Sequence, residues 1–362
     1  MSQPIRLGIV GLGRAGWGMH VPEIKNKTDK YQIVAACDIV PERVQRMVDY
    51  CGCVGYDHID DLIADPNVEM VDIATRSCDH YAHAKKALLA GKNVLLEKPV
   101  SLNYDQIVEL FSLANQPGKP RLFIRQNRRF EVAFTAVMDA INSGILGNVV
   151  EVMLDVRNYQ RRDDWQTLRE FGGGQVLNWG PHIIDQSLML LGSEVKEQFG
   201  DLKHAVAGGD CEDHFSIHFI GENDRKVNMC ISGACALNNG RHYAAYGNRG
   251  AIVCTNTHVH LKYIDPQQIL DSVVSNPGTP GDTFGASGTF EEACEPKWIE
   301  EEYDIKDEDL TVIWDYMYDS FRNGAEYPIK DEEVKNLMKA VTRLFTENET
   351  KDFTSMRDRI VK

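Results

Sequence analysis

The chain has 362 residues, enough for two packed units, and its hydrophobic and charged fractions of 43% and 26% are those of an ordinary globular protein. A formal net charge of -15 argues against a nucleic-acid reader, which needs a basic face, and against an anionic membrane surface. No apolar run approaches the ~20 residues of a membrane span, and Met1 to Arg6 leads into the first strand without a secretory apolar core, so a cytoplasmic location is expected.

Ile5 to Val10 is rich in branched apolar residues and reads as a buried strand, and Gly11-Leu12-Gly13-Arg14-Ala15-Gly16 follows it in the spacing G-x-G-x-x-G. In that pattern the first glycine makes a tight turn, the second lets backbone amides approach a pyrophosphate, and the third lets the next helix pack close. The positive end of that helix faces the phosphates. Gln32 to Cys37 predicts a second strand ending at Asp38, where a carboxylate accepts from an adenosine ribose hydroxyl and repels a 2′-phosphate. NAD is therefore expected in preference to NADP, with Arg43 the nearby cation able to receive a phosphate. Asp38 also suits a capping role before Pro41, a good first helical residue.

Met70 to Ala74, Val94 to Leu96 and Arg121 to Arg125 predict three further strands, separated by helices over Asp79 to Ala90 and Tyr104 to Asn115. Such alternation implies a parallel sheet with right-handed crossovers. Thr75, Arg76, Ser77 and His80 are expected along the cofactor groove, with His80 and His83 in structural rather than metal-binding roles. Val94-Leu95-Leu96 runs into Glu97-Lys98-Pro99, which puts a lysine at the carboxyl end of a strand, where ligands of open α/β sheets collect. Arg125, Asn127 and Arg128 reach the same edge and are candidates for substrate contact.

After Phe130 the pattern changes. A helix over Glu131 to Ser143 precedes alternating runs at Val149 to Asn158, His214 to Ile220, Lys226 to Ala236, Arg241 to Gly247, Ala251 to Thr255 and His258 to Tyr263. Strands in series predict an antiparallel or mixed open sheet. We therefore expect a nucleotide-binding domain over 1–126 and an α+β domain for substrate binding and oligomerisation over 127–362. Tyr159, Arg161, Arg162, Asp164 and Trp165 form a charged loop that either closes over a substrate or is simply solvated. Pro266 to Asp307 reads as a long surface excursion, and helices return over Asp309 to Arg322 and Glu332 to Asn348. Those last helices have the option of packing back on the first domain. Nine scattered cysteines, with Cys51 and Cys53 lacking partners at zinc spacing, predict a reduced protein and no metal.

A second cluster lies at Gly172-Gly173-Gly174-Gln175-Val176-Leu177-Asn178-Trp179-Gly180-Pro181-His182-Ile183-Ile184-Asp185. Pro181 predicts a helix start, with Asn178 at its entrance and His182 and Asp185 on one face. With Gly11-x-Gly13-x-x-Gly16 and Glu97-Lys98-Pro99, this segment resembles the Gfo/Idh/MocA oxidoreductases, and Asn127-Arg128-Arg129-Phe130 and Tyr246-Gly247-Asn248-Arg249-Gly250 extend the likeness along most of the chain. The resemblance implies a Rossmann domain, with a doubly wound parallel sheet, followed by an α+β domain whose large, open, mainly antiparallel sheet mediates homodimers or homotetramers. It also implies sugar, polyol or sugar-derivative substrates held above the nicotinamide.

The resemblance assigns cofactor contacts to Gly11, Gly13, Arg14, Ala15, Gly16, Asp38, Arg43, Thr75, His80, Glu97 and Lys98, and proton handling to Lys98 and His182. The chain departs from the pattern at Asn178, where inositol dehydrogenase-like members carry Asp; an amide cannot accept a proton at neutral pH. The expectation is hydride transfer from a secondary alcohol, with His182 as base, Lys98 stabilising the oxygen, Asn178 orienting a neighbouring hydroxyl, and Arg125, Asn127, Arg128, Tyr159, Trp165 and Asp185 around the substrate. Two alternatives accompany it: an NAD-dependent glycosidase or lyase that oxidises its sugar transiently, and a non-catalytic NAD-binding sensor.

Overall fold

The computed structural model describes residues 3–237, 240–270, 277–278, 295–306 and 308–353. The first sheet contains β1 (Ile5–Val10), β2 (Tyr31–Cys37), β3 (Val54–Tyr56), β4 (Met70–Ile73), β5 (Asn93–Leu96) and β6 (Leu122–Ile124), all parallel, in the order β3-β2-β1-β4-β5-β6. Its central strands are buried on both faces, as crossover helices on each side require. Those connections carry α1 (Val21–Ile24), α2 (Pro41–Cys51), α3 (Ile59–Ala64), α4 (His80–Leu89) and α5 (Tyr104–Leu113). The strand order reverses beside β1, which opens a crevice at the carboxyl ends of β1 and β4. The first connection differs from a regular helix: Gly16–His20 is wound as a π-helical turn before the four residues of α1.

After α6 (Val132–Asn142) the chain enters β7 (Val149–Arg157), passes α7 (Gln175–Asn178) and α8 (Gly180–Leu191), and builds β8 (Val195–Lys203), β9 (His214–Gly221), β10 (Lys226–Ser232), β11 (Gly240–Gly247), β12 (Gly250–Thr255), β13 (His258–Ile264) and β14 (Trp298–Asp304). These eight strands form an open sheet in the order β14-β13-β12-β11-β7-β10-β9-β8, antiparallel except at β7 and β10. Alternation gives the sheet one covered face: along β9, Phe215, Ile217 and Phe219 are fully buried while the intervening residues are not. Each such side chain contributes about 1.5–3 kcal/mol of burial.

The sequence reading omitted β3 and β8, and its surface excursion was too broad. β14 lies inside it and pairs along its whole length with β13. Its residues Glu300, Glu301 and Glu302 hide the strand from an apolar-periodicity reading, because an edge strand with few apolar contacts needs little apolar surface. Most of the remaining excursion lies outside the described residues.

The last two helices, α9 (Val312–Asn323) and α10 (Asp331–Glu347), bind the two sheets together. α9 returns to the first sheet, where the Tyr31 hydroxyl donates to the Trp314 carbonyl at 2.5 Å and Arg322 pairs with Glu69 at 2.6 Å. α10 packs against α8, α5 and β8.

Candidate active site

The carboxyl edge of the first sheet and the segment 160–182 enclose a cleft of about 1070 Å³. One end is the glycine turn. Gly11 has φ +93°, and a Cβ there would come within 2.6 Å of the Ala74 carbonyl; one on Gly16 would collide with the Gly11 carbonyl. At Gly13, by contrast, a Cβ would meet nothing closer than 3.8 Å, so this backbone is open to the cleft. Among the described residues the amides of Gly13, Arg14 and Ala15 donate to no protein acceptor. An open backbone with free donors is what a pyrophosphate needs, so the residues present fit a dinucleotide.

Asp38 does not cap α2, which is entered from Val40 with no side-chain cap hydrogen bond; its side chain faces the glycine turn and the cleft instead. Its carboxylate accepts from the Leu12 amide at 2.6 Å and from the Val40 amide at 2.9 Å, and it stands on the cleft wall with Arg43 at 3.5 Å. Thr75 and His80 also line the cleft. The His80 ring nitrogens lie 2.7 Å from the Pro99 carbonyl and 3.1 Å from the Thr75 carbonyl, so its polar atoms hold strand ends together and only its surface faces the groove.

At the other end of the cleft stand Lys98, Asn178 and His182. The Lys98 ammonium donates to the Asn178 carbonyl at 2.8 Å and reaches its amide oxygen at 3.5 Å; the Lys98–Pro99 peptide is cis. Burial, with Arg128, Arg125 and Arg14 nearby, lowers the Lys98 pKa to about 8 against the pull of Glu97. His182 lies in the first turn of α8, with Nδ1 3.1 Å from the Gln126 side-chain oxygen. Gln126 donates its amide to the Pro181 carbonyl at 3.1 Å, which orients that oxygen toward the imidazole. In the neutral ring Nδ1 therefore carries the proton and Nε2 is a free acceptor. Burial, then the Lys98 and Arg128 charges, push His182 well below its ordinary value, so it is neutral at pH 7.

Beneath Lys98 runs a buried ionic chain. His20 lies between Asp72 (Nδ1, 2.8 Å) and Glu97 (Nε2, 2.9 Å). Arg125 joins Glu97 at 2.7 Å to Glu23 at 2.6 Å, and Glu23 accepts from the Trp314 indole at 2.6 Å. No apolar or glycine period marks His20, Glu23 or Trp314 as a set, so the sequence reading missed them. Gln126 was missed for the same reason. So was Glu212, whose burial pushes its carboxyl up to about 7 and whose oxygen accepts from the Val176 amide at 2.9 Å beneath α7.

Three of the expected substrate contacts are placed less directly on the cleft. Arg125 reaches the cleft edge, but it is only 2% exposed and its terminal nitrogens are occupied by Glu97 and Glu23. Asp185 is likewise taken, by Arg129 at 2.6 and 2.7 Å, and stands outside the cleft lining. Tyr159 also lies outside that lining; its backbone pairs with Ala234 and its side chain is exposed. Asn127, Arg128 and Trp165 do line the cleft; Arg128 lies over Trp179 at 4.3 Å and pairs with Glu131. Gln166 links Asn178, at 3.3 Å, to Arg14, at 2.5 Å, across the cleft.

Among the described residues, His260, Glu300 and Glu302 form a group with metal-ligand spacing, on the second sheet and away from the cleft; Lys262 also pairs with Glu300 there. No helix among the described residues is long and apolar enough to cross a membrane.

Comparison with known proteins agrees with this geometry. Residues 5–124 match the oxidoreductase family with the NAD-binding Rossmann fold, and residues 134–253 match the GFO/IDH/MocA C-terminal domain. An uncharacterised oxidoreductase of Schizosaccharomyces pombe is 30% identical over 291 residues, 77% of this chain and 76% of its own length. The scyllo-inositol 2-dehydrogenase (NADP(+)) IolW of Bacillus subtilis is 26% identical over 69% of this chain and 68% of its own. In fold, an NAD-binding protein from Listeria innocua superposes with a TM-score of 0.77 at 22% identity, over 96% of this chain and 98% of that one. With both halves matched in order and the glycine turn and lysine facing one cleft, the chain belongs to the Gfo/Idh/MocA family of oxidoreductases.

Proposed function

We propose that the protein is an NAD(P)-dependent dehydrogenase that moves a hydride between nicotinamide and a secondary alcohol of a sugar, polyol or sugar derivative. The observation that carries this reading is the placement of Lys98 and His182 at one end of a cleft whose other end is the open glycine turn. The substrate sits between residues 1–126 and 127–362. Asp38 on the ribose side favours NAD, while Arg43 beside it leaves a route to NADP.

Bound nicotinamide supplies the hydride acceptor for oxidation. Lys98 is the proton acceptor in this reading, in place of His182. A neutral His182 held well below its ordinary value accepts a hydrogen bond at Nε2 but retains a proton poorly, whereas an amine near 8 takes and returns one close to neutrality. Lys98 removes the hydroxyl proton as the carbon-bound hydrogen leaves as hydride. His182 accepts at Nε2 from a neighbouring substrate hydroxyl, and Asn178 holds the Lys98 side chain through its carbonyl and orients a further hydroxyl. Trp165, Asn127 and Arg128 complete the substrate wall.

The test is near-ultraviolet absorbance with NAD and then NADP across aldoses, inositols, uronates and glycosides, while chromatography follows each substrate. Reduction that depends on one sugar or polyol is expected. Consumption of a glycoside without net reduction would overturn the dehydrogenase reading. We also read the protein as a cytoplasmic homodimer or homotetramer; a monomer by light scattering at micromolar concentration would remove the oligomer from the proposal.

A further inference from the structure

We propose that His20 is a positioning residue for Lys98: by bridging Asp72 and Glu97 it fixes the turn that carries the lysine and balances the charge beneath it. The geometry sets the ring's state. Both ring nitrogens face carboxylates, at 2.8 and 2.9 Å, and an ionised carboxylate can only accept, so each nitrogen has to donate. His20 is therefore a buried cation. Consistently, burial works against its charge, and Asp72 with Glu97 overrides that and raises its pKa to about 9.

Glu97 transmits the constraint. One of its oxygens accepts from His20 and from Arg125, and the other accepts from the backbone amide of Lys98 at 3.0 Å. The carboxylate thus has no freedom to rotate toward the Lys98 ammonium, which is aimed instead at the Asn178 carbonyl at 2.8 Å. The charges facing the ring come from β4 (Asp72), the turn after β5 (Glu97) and the end of β6 (Arg125), with Glu23 of α1 beyond Arg125. Trp314 of α9 contributes an uncharged edge at 5.5 Å. Asp72, Glu97 and Glu23 are balanced by His20, Arg125 and Lys98. Removal of the His20 charge leaves excess negative charge below the lysine, and an ammonium in such a field holds its proton to higher pH.

This inference rests on reading Lys98 as the proton-handling group, but its test needs no substrate. Lys98 acetylation by acetic anhydride is followed by mass spectrometry of its peptide as a function of pH, in wild type and in His20→Gln. Labelling in the wild type should rise with an apparent pKa near 8, the value its surroundings set, and His20→Gln should shift it upward by about one unit. An unchanged Lys98 titration in a folded His20→Gln protein overturns the proposal, since a merely structural histidine would leave it in place. Should that variant fail to fold, ¹⁵N NMR of the wild-type histidine rings decides. A doubly protonated imidazole persisting at pH 8 is expected, and none at that pH overturns the proposal. Failure of every sugar in the absorbance panel would leave both measurements intact and count against the dehydrogenase reading alone.

Discussion

Two regions of this protein pair histidine with carboxylates, and their environments make them opposites. At the first sheet, His20 is sealed between Asp72 and Glu97, all buried. On β13 and β14, His258 and His260 face Glu300, Glu302 and Asp304 across the strands, with side chains 39% to 74% exposed. The exposed pairs form in high dielectric, are screened by salt and contribute ~0–1 kcal/mol each. Charges in the buried chain gave up hydration, so each needs its partner, and removal of one strands the others. Residue type and pairing are similar in the two places; burial is what separates them.

The largest test of that contrast is Lys98→Met, which removes the group the buried chain serves. It should lower kcat/KM by about 10²–10⁴-fold in steady-state assays with little change in melting temperature. A comparable loss from His182→Ala alone, with Lys98→Met mild, would return the proton to the histidine. Next comes His20→Gln, expected to cost about 3–5 kcal/mol in denaturant unfolding, because Asp72 and Glu97 are left as neighbouring buried charges.

The pH dependence sharpens this further. The folded pKa of His20, about 9, lies above its ordinary 6.5, so its stabilisation is complete below pH 6.5 and is lost as pH rises through 9. The unfolding free-energy gap between wild type and His20→Gln should therefore narrow across that window. For Lys98 the sign concerns activity: alcohol oxidation needs the neutral amine, so kcat/KM should climb with pH and level off above about 8. At the small end, His260→Ala on the exposed stripe should change stability by less than ~0.5 kcal/mol. A larger loss would mean that a partner or an ion covers that face.

Some of the cleft was legible residue by residue. The glycine turn was located by its spacing: Gly16 packs on the Gly11 carbonyl five residues before it, and Gly13 is left open, although the close approach at Gly11 is to Ala74 on the neighbouring strand end. Glu97-Lys98-Pro99 followed a recognisable apolar strand, and Pro181 marked the start of α8. The charged candidates fared less well. Arg125, Asp185 and Arg128 look alike in sequence, as polar residues near a strand or helix end. What separates them is which carboxylate or guanidinium lies opposite: Glu97 and Glu23 for Arg125, Arg129 for Asp185, Glu131 and the Trp179 ring for Arg128. Apart from Glu131, three residues from Arg128, those partners are distant in the chain, and no local period reports them.

Local order in this chain, set by glycine geometry, strand alternation and helix starts, was enough to place most strands of the parallel first sheet and of the open second sheet, the glycine turn and the lysine at a strand end. Each of these follows from interactions within a few residues or from a repeating pattern of burial. Tertiary structure alone decided that His20 is a cation, that Lys98 is depressed to about 8, and that α9 delivers Trp314 to the far end of the same ionic chain. A protonation state depends on burial and on charges brought within a few ångströms, and here those charges come from Glu23, Asp72, Glu97 and Arg125, which only the folded chain brings together.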